Sequence, residues 1–375
     1  MEWKEVKLGD ILNFRRGHDL PHSAMKPGNI PVAGSNGVIG YHDTATPIKP
    51  ILTIGRSGNV GKPYFYEEAW AHNTTLYVDD FKGNDPKFLY YLCQTMPFAN
   101  FGGGSAVPTL NRNHIHPLET KIPVKVEDQR RIASILSSLD RKIDLNNKIN
   151  ADLEEMAQAI FKNWFIDFEP FKDGKFVDSE LGMIPEGWKV GTIGDITKNK
   201  SAKVKERNDV KVLSPVTTGE LVLSEEYFTK QVFSSSIAKY KIVNKGDFAY
   251  NPARVNIGSL GRNEFDFDGC VSPVYVVFSV LDGYENYFDL FRKTDFFKDS
   301  VASLAIGGVR QSLSYDDLSS IEVIIPSENA VEEFNNLYNQ MKKTIKANKL
   351  ENSRLSLLRD TLLPRLMSGE IEVPQ

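Results

Sequence analysis

The chain carries one pattern twice. Trp3-Lys4-Glu5-Val6-Lys7-Leu8-Gly9-Asp10-Ile11 returns 185 residues later as Trp188-Lys189-Val190-Gly191-Thr192-Ile193-Gly194-Asp195-Ile196. Asn59-Val60-Gly61 is echoed by Asn256-Ile257-Gly258, and the stretch from Thr109-Leu110 to Ile122-Pro123 by Ser312-Leu313 to Ile325-Pro326, in the same order. A duplicated sequence has to build one architecture twice. The expected fold class is therefore α+β, with two pseudo-repeated globular units, residues 1–125 and 186–325. Each unit is followed by a long helix, within 126–185 (with a linker) and 326–375.

Both units mix short β-like runs with one helical stretch. In the first, Ile51–Ile54 and Thr74–Val78 read as strands and Pro86–Thr95 as a helix stopped by Pro97. In the second, Phe248–Tyr250 and Val274–Phe278 read as strands and Asn286–Ser303 as one helix. The segments that follow have a different grammar. Ile132, Leu136, Leu139 and Ile143 alternate steps of four and three, continued by Ile149, Leu153, Met156, Ile160 and Trp164. An offset of 202 gives the second seam, Phe334, Tyr338, Met341 and Ile345, then Leu355 and Leu362. Asn146 and Asn348 correspond and break the seam in both copies, which weakens packing but can fix register. A helix of about 40 residues is roughly 60 Å long. The economical way to bury two such stripes is to pack the helices together, antiparallel and coiled-coil-like. The first is expected to end near Phe165, the second around Met367, just past Pro364.

Composition excludes several classes. No run of about twenty apolar residues spans a membrane, and Met1–Val6 has neither the basic start nor the apolar core of a signal peptide. Two cysteines, Cys93 and Cys270, build no disulfide framework and suit the cytoplasm. Net charge is −4, and residues 126–185 hold eight Lys or Arg against twelve Asp or Glu, so the acidic excess lies in the first helix and linker. Bulk charge gives no support for a nucleic-acid partner and leaves a local patch open.

Catalytic motifs are lacking. Gly55-Arg56-Ser57-Gly58-Asn59-Val60-Gly61-Lys62-Pro63 resembles a phosphate loop, but its glycines are one residue too far apart and Pro63 stands where a hydroxyl is needed. Asn251-Pro252-Ala253-Arg254 lacks the second proline and aromatic of an amino-methyltransferase tetrapeptide. All six histidines fall in the first half, and His114-x-His116 has nothing to complete a metal site, so scattered surface histidines are expected and no metal. What remains is a set of polar loops at matching places: Ser35 and Asn36; Arg56, Ser57 and Asn59; Ser105 before Thr109; Asn251, Arg254 and Asn256; and Arg310, Gln311 and Ser312. Lys200 and Lys203 belong to a basic run opening the second unit. Backbone N–H groups, hydroxyls, amides and guanidinium groups are what reach phosphates and base edges.

At the junction after the first unit the sequence resembles the DNA-specificity subunit of type I restriction–modification systems. Leu118-x-x-x-x-Ile122-Pro123 and Glu127-Asp128-Gln129-Arg130-Arg131-Ile132-Ala133 lead into Ile135-Leu136-x-x-Leu139-Asp140-x-x-Ile143. Gln158-Ala159-Ile160-Phe161, Trp164-Phe165 and Gly182-Met183-Ile184-Pro185-Glu186-Gly187-Trp188 follow. Gly269-Cys270-Val271-Ser272-Pro273 and the ending Leu362-Leu363-Pro364-Arg365-Leu366-Met367-Ser368-Gly369 add to the likeness. The second helix lacks the Glu-Asp-Gln lead-in, and His72-Asn73-Thr74-Thr75 replaces the Cys-Val-Ser-Pro pattern in the first unit. The resemblance implies two target-recognition domains reading a bipartite site on double-stranded DNA, with the helices as spacer. It implies no catalysis and no cofactor in this chain. Its partners would be two methyltransferase (modification) subunits using S-adenosylmethionine and endonuclease (restriction) subunits using ATP and Mg. Set against it are a two-domain coiled-coil scaffold binding protein or sugar ligands, and a lone adenine methyltransferase.

Overall fold

The computed structural model describes residues 1–103, 108–304 and 312–374. The chain divides into two compact units, residues 1–148 with 347–375, and residues 149–346. Each unit therefore holds a globular portion and part of both long helices.

In the first unit Trp3–Lys7 pairs antiparallel with Glu119–Pro123, Trp3 opposite Pro123. A four-stranded sheet follows in the order Asn13–Arg16, Thr75–Asp80, Ile51–Gly55, Pro63–Tyr66. Thr75 to Val78 are all buried, as a central strand covered on both faces requires. Helix α1 (Pro86–Thr95) starts where the Asp85 carboxylate accepts from the Phe88 N–H at 2.8 Å, with Pro86 in the first turn. It buries Phe88, Leu89, Leu92 and Cys93 against the sheet core that holds Phe14, Leu52, Ile54 and Val78.

The second unit repeats the plan. Lys189–Thr192 pairs with Glu322–Ile325, and the sheet order Thr197–Lys200, Val276–Val280, Phe248–Tyr250, Leu260–Arg262 matches that of the first unit strand for strand. Two expectations shift. Val274 is 72% exposed, because Tyr275 N–H donates to the Ser272 carbonyl and closes a turn before the strand begins at Val276. The expected single helix over Asn286–Ser303 is two short helices, Glu285–Phe291 and Asp295–Leu304. The break falls at Thr294, whose hydroxyl donates to the Phe291 carbonyl and accepts from the Phe297 N–H, ending one helix and capping the next.

The long helices are Val126–Phe165 and Glu328–Met367, 40 residues each. In the first unit Ile132 and Leu136, near the start of one, share a core with Leu363, Leu366 and Met367, near the end of the other. In the second unit Phe161 and Phe165, near the end of the first helix, pack on Phe334 near the start of the second, with ring centroids 6.2 and 5.0 Å away. Within each unit the two helical segments thus run antiparallel. Leu139, Ile143, Met341 and Ile345 are half-buried, and Tyr338 is buried beside Phe334. Met156 is 50% exposed, and the buried row moves to Ala157, Phe161 and Phe165. A 3.6-residue helix drifts from a strict heptad seam in this way.

Asn146 is fully buried, and its Nδ2 donates to Glu351 Oε2 at 2.7 Å and Asn352 Oδ1 at 2.9 Å. Asn352 Nδ2 in turn donates to Asn147 Oδ1 at 2.8 Å. The polar layer expected at Asn146 is present, with Asn352 as its partner; Asn348 is half-buried one turn away. Pro364 sits inside the last turns of the second long helix, which ends at Met367 before Gly369 at positive φ. Among the described residues no helix is long and apolar enough to cross a membrane.

Candidate nucleic-acid interface

In the first unit the glycine-rich run is a tight turn. Gly55 N–H donates to the Lys62 carbonyl at 3.0 Å and Gly61 N–H to the Gly55 carbonyl at 2.8 Å. A Cβ on Gly55 would lie 1.8 Å from the Asn59 carbonyl oxygen, and Gly58 and Gly61 have φ of 84° and 79°. The glycines serve the turn, not a phosphate loop. Arg56 is held by its backbone: its N–H donates to Thr74 at 2.8 Å and its carbonyl accepts from Leu110 at 2.7 Å. Ser57 is bridged to Thr109, and the Ser35 backbone and hydroxyl pass beside Gly55 and Gly58. Ser35, Asn36, Arg56, Ser57, Asn59 and Thr109 are thus brought to one edge of the unit. Ser105 lies outside the described residues.

That edge has a feature the sequence did not disclose. A cleft of about 420 Å³ is lined by Arg15, Arg16, Arg56 and Arg112, with Thr109 and Asn111, and no carboxylate among its lining residues. Arg15 and Arg16 end the first sheet strand, opposite Tyr77 and Leu76. Arg112 opens a one-turn helix, Arg112–Ile115, capped by the Asn111 side chain, and its Nη1 donates to the Phe14 carbonyl at 3.3 Å. The exposed Arg15 and Arg16 approach the half-buried Asp79 and the exposed Asp19 at 3.8 and 3.6 Å, beyond hydrogen-bond distance. Arg56 makes no ion pair among the described residues.

The histidines are more structural than expected. His116 Nε2 accepts the Phe14 N–H at 3.0 Å, which ties the arginine-bearing strand to the one-turn helix. Burial, then the nearby Arg112 and Lys82 charges, hold the His116 pKa below its ordinary value. His42 is buried and its Nδ1 accepts the Lys26 N–H at 3.0 Å. Among the described residues no group of His, Cys, Asp or Glu could hold a metal ion.

The second unit rebuilds the turn with other residues. Asn251 Oδ1 accepts the Ala253 N–H at 3.1 Å, and Leu313 N–H donates to the Pro252 carbonyl at 3.1 Å, as Leu110 does to Arg56. Gly258 has φ of 94°, and a Cβ there would lie 2.7 Å from the Thr217 carbonyl oxygen. Asn251, Arg254, Asn256 and Ser312 gather on this edge, Arg254, Asn256 and Ser312 exposed. Arg310 and Gln311 lie outside the described residues. Lys203 is exposed, its backbone bridged to Lys241. Lys200 offers no free charge: its Nζ is 2.8 and 3.0 Å from the two oxygens of Asp247, a buried carboxylate. An ammonium already matched in this way has little left for a phosphate.

Two globular units share one topology, and each presents a polar loop edge and is joined to paired helical segments. Residues 1–155 match the family described as the type I restriction modification DNA specificity domain. The chain is 28% identical to the type I restriction enzyme MjaIX specificity subunit of Methanocaldococcus jannaschii, over 77% of this chain and 70% of that protein. It is 25% identical to the HindI specificity subunit of Haemophilus influenzae, over 98% of this chain and 94% of that one. A crystal structure of the S subunit of a type I restriction–modification system from M. genitalium shares the fold, with a TM-score of 0.64 and 16% identity over 98% of this chain and 96% of that one. The chain is thus similar over nearly its whole length to specificity subunits of type I restriction enzymes.

Proposed function

We propose that the chain is the non-catalytic reading subunit of a type I restriction–modification complex, working in the cytoplasm. Each globular unit, residues 1–125 and 186–325, is a target-recognition domain for one half of a bipartite site on double-stranded DNA. The two long helices, with Asn146 fixing their register, set the unread spacer between the halves. The partners are two methyltransferase subunits and endonuclease subunits, which bring S-adenosylmethionine, ATP and Mg; this chain's own residues supply loops and a scaffold. The observation that carries the reading is the recurrence of one loop edge in both units, locked by the same backbone bond, Leu110 to Arg56 and Leu313 to Pro252. A scaffold alone gives no reason for polar loops at both places, and kinship with specificity subunits disfavours the scaffold reading.

Sequencing of modified adenines in DNA from cells expressing the chain with its methyltransferase subunits tests this. The expected result is one split motif with a fixed gap. Equal retention of every duplex by the purified complex at moderate salt would remove the proposal.

A further inference from the structure

We propose that the four-arginine cleft of the first unit seats the phosphodiester backbone of DNA, and that the corresponding described positions of the second unit form no equivalent anchor, so the two half-sites are held unequally. The inference rests on the DNA-reading role above and adds to it which residues grip the backbone and on which side.

The cleft has the chemistry for it. Guanidinium forks match the paired oxygens of a phosphate, and four of them converge with no lining carboxylate. They come from three separate places, a strand end, the glycine turn and a helix start, and Arg56 is fixed by two backbone bonds. Thr109 and Asn111 add polar groups to the same wall.

The repeat allows each arginine to be compared with its counterpart. Arg15 pairs across the sheet with Tyr77, and Lys200 with Val277 in the matching strand, so Arg15 corresponds to Lys200 and Arg16 to Ser201. The Leu110 and Leu313 bonds equate Arg56 with Pro252. Arg112 follows the capping Asn111 as Tyr315 follows the capping Ser314. Of the four cations only Lys200 survives, and Asp247 neutralises it. The Tyr315 hydroxyl is engaged with Thr197 at 2.9 Å. The second unit keeps the turn but has no free cation at these four positions, and its exposed Arg254 stands two residues past the Arg56 counterpart.

The test uses the full chain in complex with its methyltransferase subunits and a labelled duplex bearing the methylated motif, with Kd measured across a salt series. Each phosphate contact contributes about 0.9 to the slope of log K against log salt. Arg15→Gln, on an exposed strand end, and Arg56→Gln should each lower the slope by about that amount and weaken binding roughly tenfold at moderate salt. Arg56→Lys, which keeps the charge, should restore the slope. Neutral methylphosphonate linkages scanned through the site should weaken binding mainly around one half-site, and that sensitivity should vanish in the Arg15→Gln/Arg56→Gln protein. Unchanged slopes in both glutamine variants, or equal sensitivity of the two half-sites, would overturn the cleft while leaving sequence preference intact. Loss of all preference in the wild-type complex would instead overturn the reading role beneath it.

Discussion

Asp140 on the first long helix accepts a hydrogen bond from Arg359 on the second at 2.8 Å, and its other oxygen accepts the Tyr91 hydroxyl of α1 at 2.5 Å. One carboxylate therefore fastens the globular part of the first unit to both helical segments. The repeat places Lys342 at the corresponding position of the second unit, where it pairs with Glu264 at 2.7 Å. The link from one long helix to the globular part is kept there with its charge reversed. Asp140→Ala leaves Tyr91 and the half-buried Arg359 short of a partner, and should cost about 1–3 kcal/mol. Asp140→Asn, which retains an acceptor, should cost less. Urea unfolding of the full chain, followed by the fluorescence of its tryptophans, measures both; a change below about 0.5 kcal/mol for the alanine variant would be the size of an ordinary surface substitution and would deny Asp140 this role.

The glycine turn offers a test of the reading edge that leaves every charge in place. Gly55→Ala puts a methyl group 1.8 Å from the Asn59 carbonyl oxygen, so the backbone has to move. Overpacking of this kind costs about 1–3 kcal/mol, and here it shifts Arg56 and Ser57 away from Thr109. Expected are a lowered unfolding midpoint and a loss of specific DNA binding of about tenfold or more, while Gly103→Ala, which has open space around its Cβ, serves as the silent comparison. Specific binding equal to wild type in Gly55→Ala would show that this turn does not touch DNA.

Much of the fold was legible because its signals are local. Pro86 at the start and the Pro97 stop gave α1 its expected bounds, and the apolar periodicity within residues 126–185 and 326–375 gave both long helices. Where a local signal competed with a neighbour, reading failed: Thr294 cut one expected helix into two, and the Met156 position left the seam because a straight helix drifts. The loop residues Ser35, Arg56 and Thr109 could be nominated from the repeat, since matching polar turns recur in both copies. Arg15, Arg16 and Arg112 could not. The pairing of Asn13–Arg16 with Thr75–Asp80 and the His116 bond to Phe14 bring them to Arg56, and no pattern within a short window records a contact across about a hundred residues. The ion pair of Lys200 was equally hidden, as its partner Asp247 lies far along the chain.

His116 should make the first unit sensitive to acid. Its Nε2 accepts the Phe14 N–H, a bond that only the unprotonated nitrogen can make. The pKa is lowered by burial and by Arg112 and Lys82, and that of His72 is lowered too, by burial first. With the folded value below the unfolded one, the unfolded chain takes up the proton first on acidification. The stabilisation is therefore whole above about pH 6.5 and is lost as pH falls from there through the folded value. Urea midpoints at roughly pH 7.5 and 5.5 should show a drop in the wild type. His116→Ala should be less stable at the higher pH and show a shallower drop. Equal drops in the two proteins would assign the acid sensitivity to other groups.

The spacer proposal predicts a change in the DNA read without a change in either reading edge. Removing one heptad from each long helix, Lys148–Glu154 and Thr344–Leu350, leaves the Asn146–Asn352 bond in one unit and the Phe161 and Phe165 packing on Phe334 in the other. Seven residues shorten a helix by roughly 10 Å, which is about three base-pair steps of B-DNA. Two helical turns also keep the apolar faces in phase, so the pair can close again along its seam. The shortened chain, expressed with its methyltransferase subunits, should modify the same two half-motifs with a smaller gap between them, at reduced rate because the heads also rotate about the duplex. Removing the heptad from one helix alone leaves the seams unequal and should abolish modification. Adenine methylation mapped across the genome reads all three proteins at once. If the doubly shortened chain still selects the original gap, the helices are not what measures it.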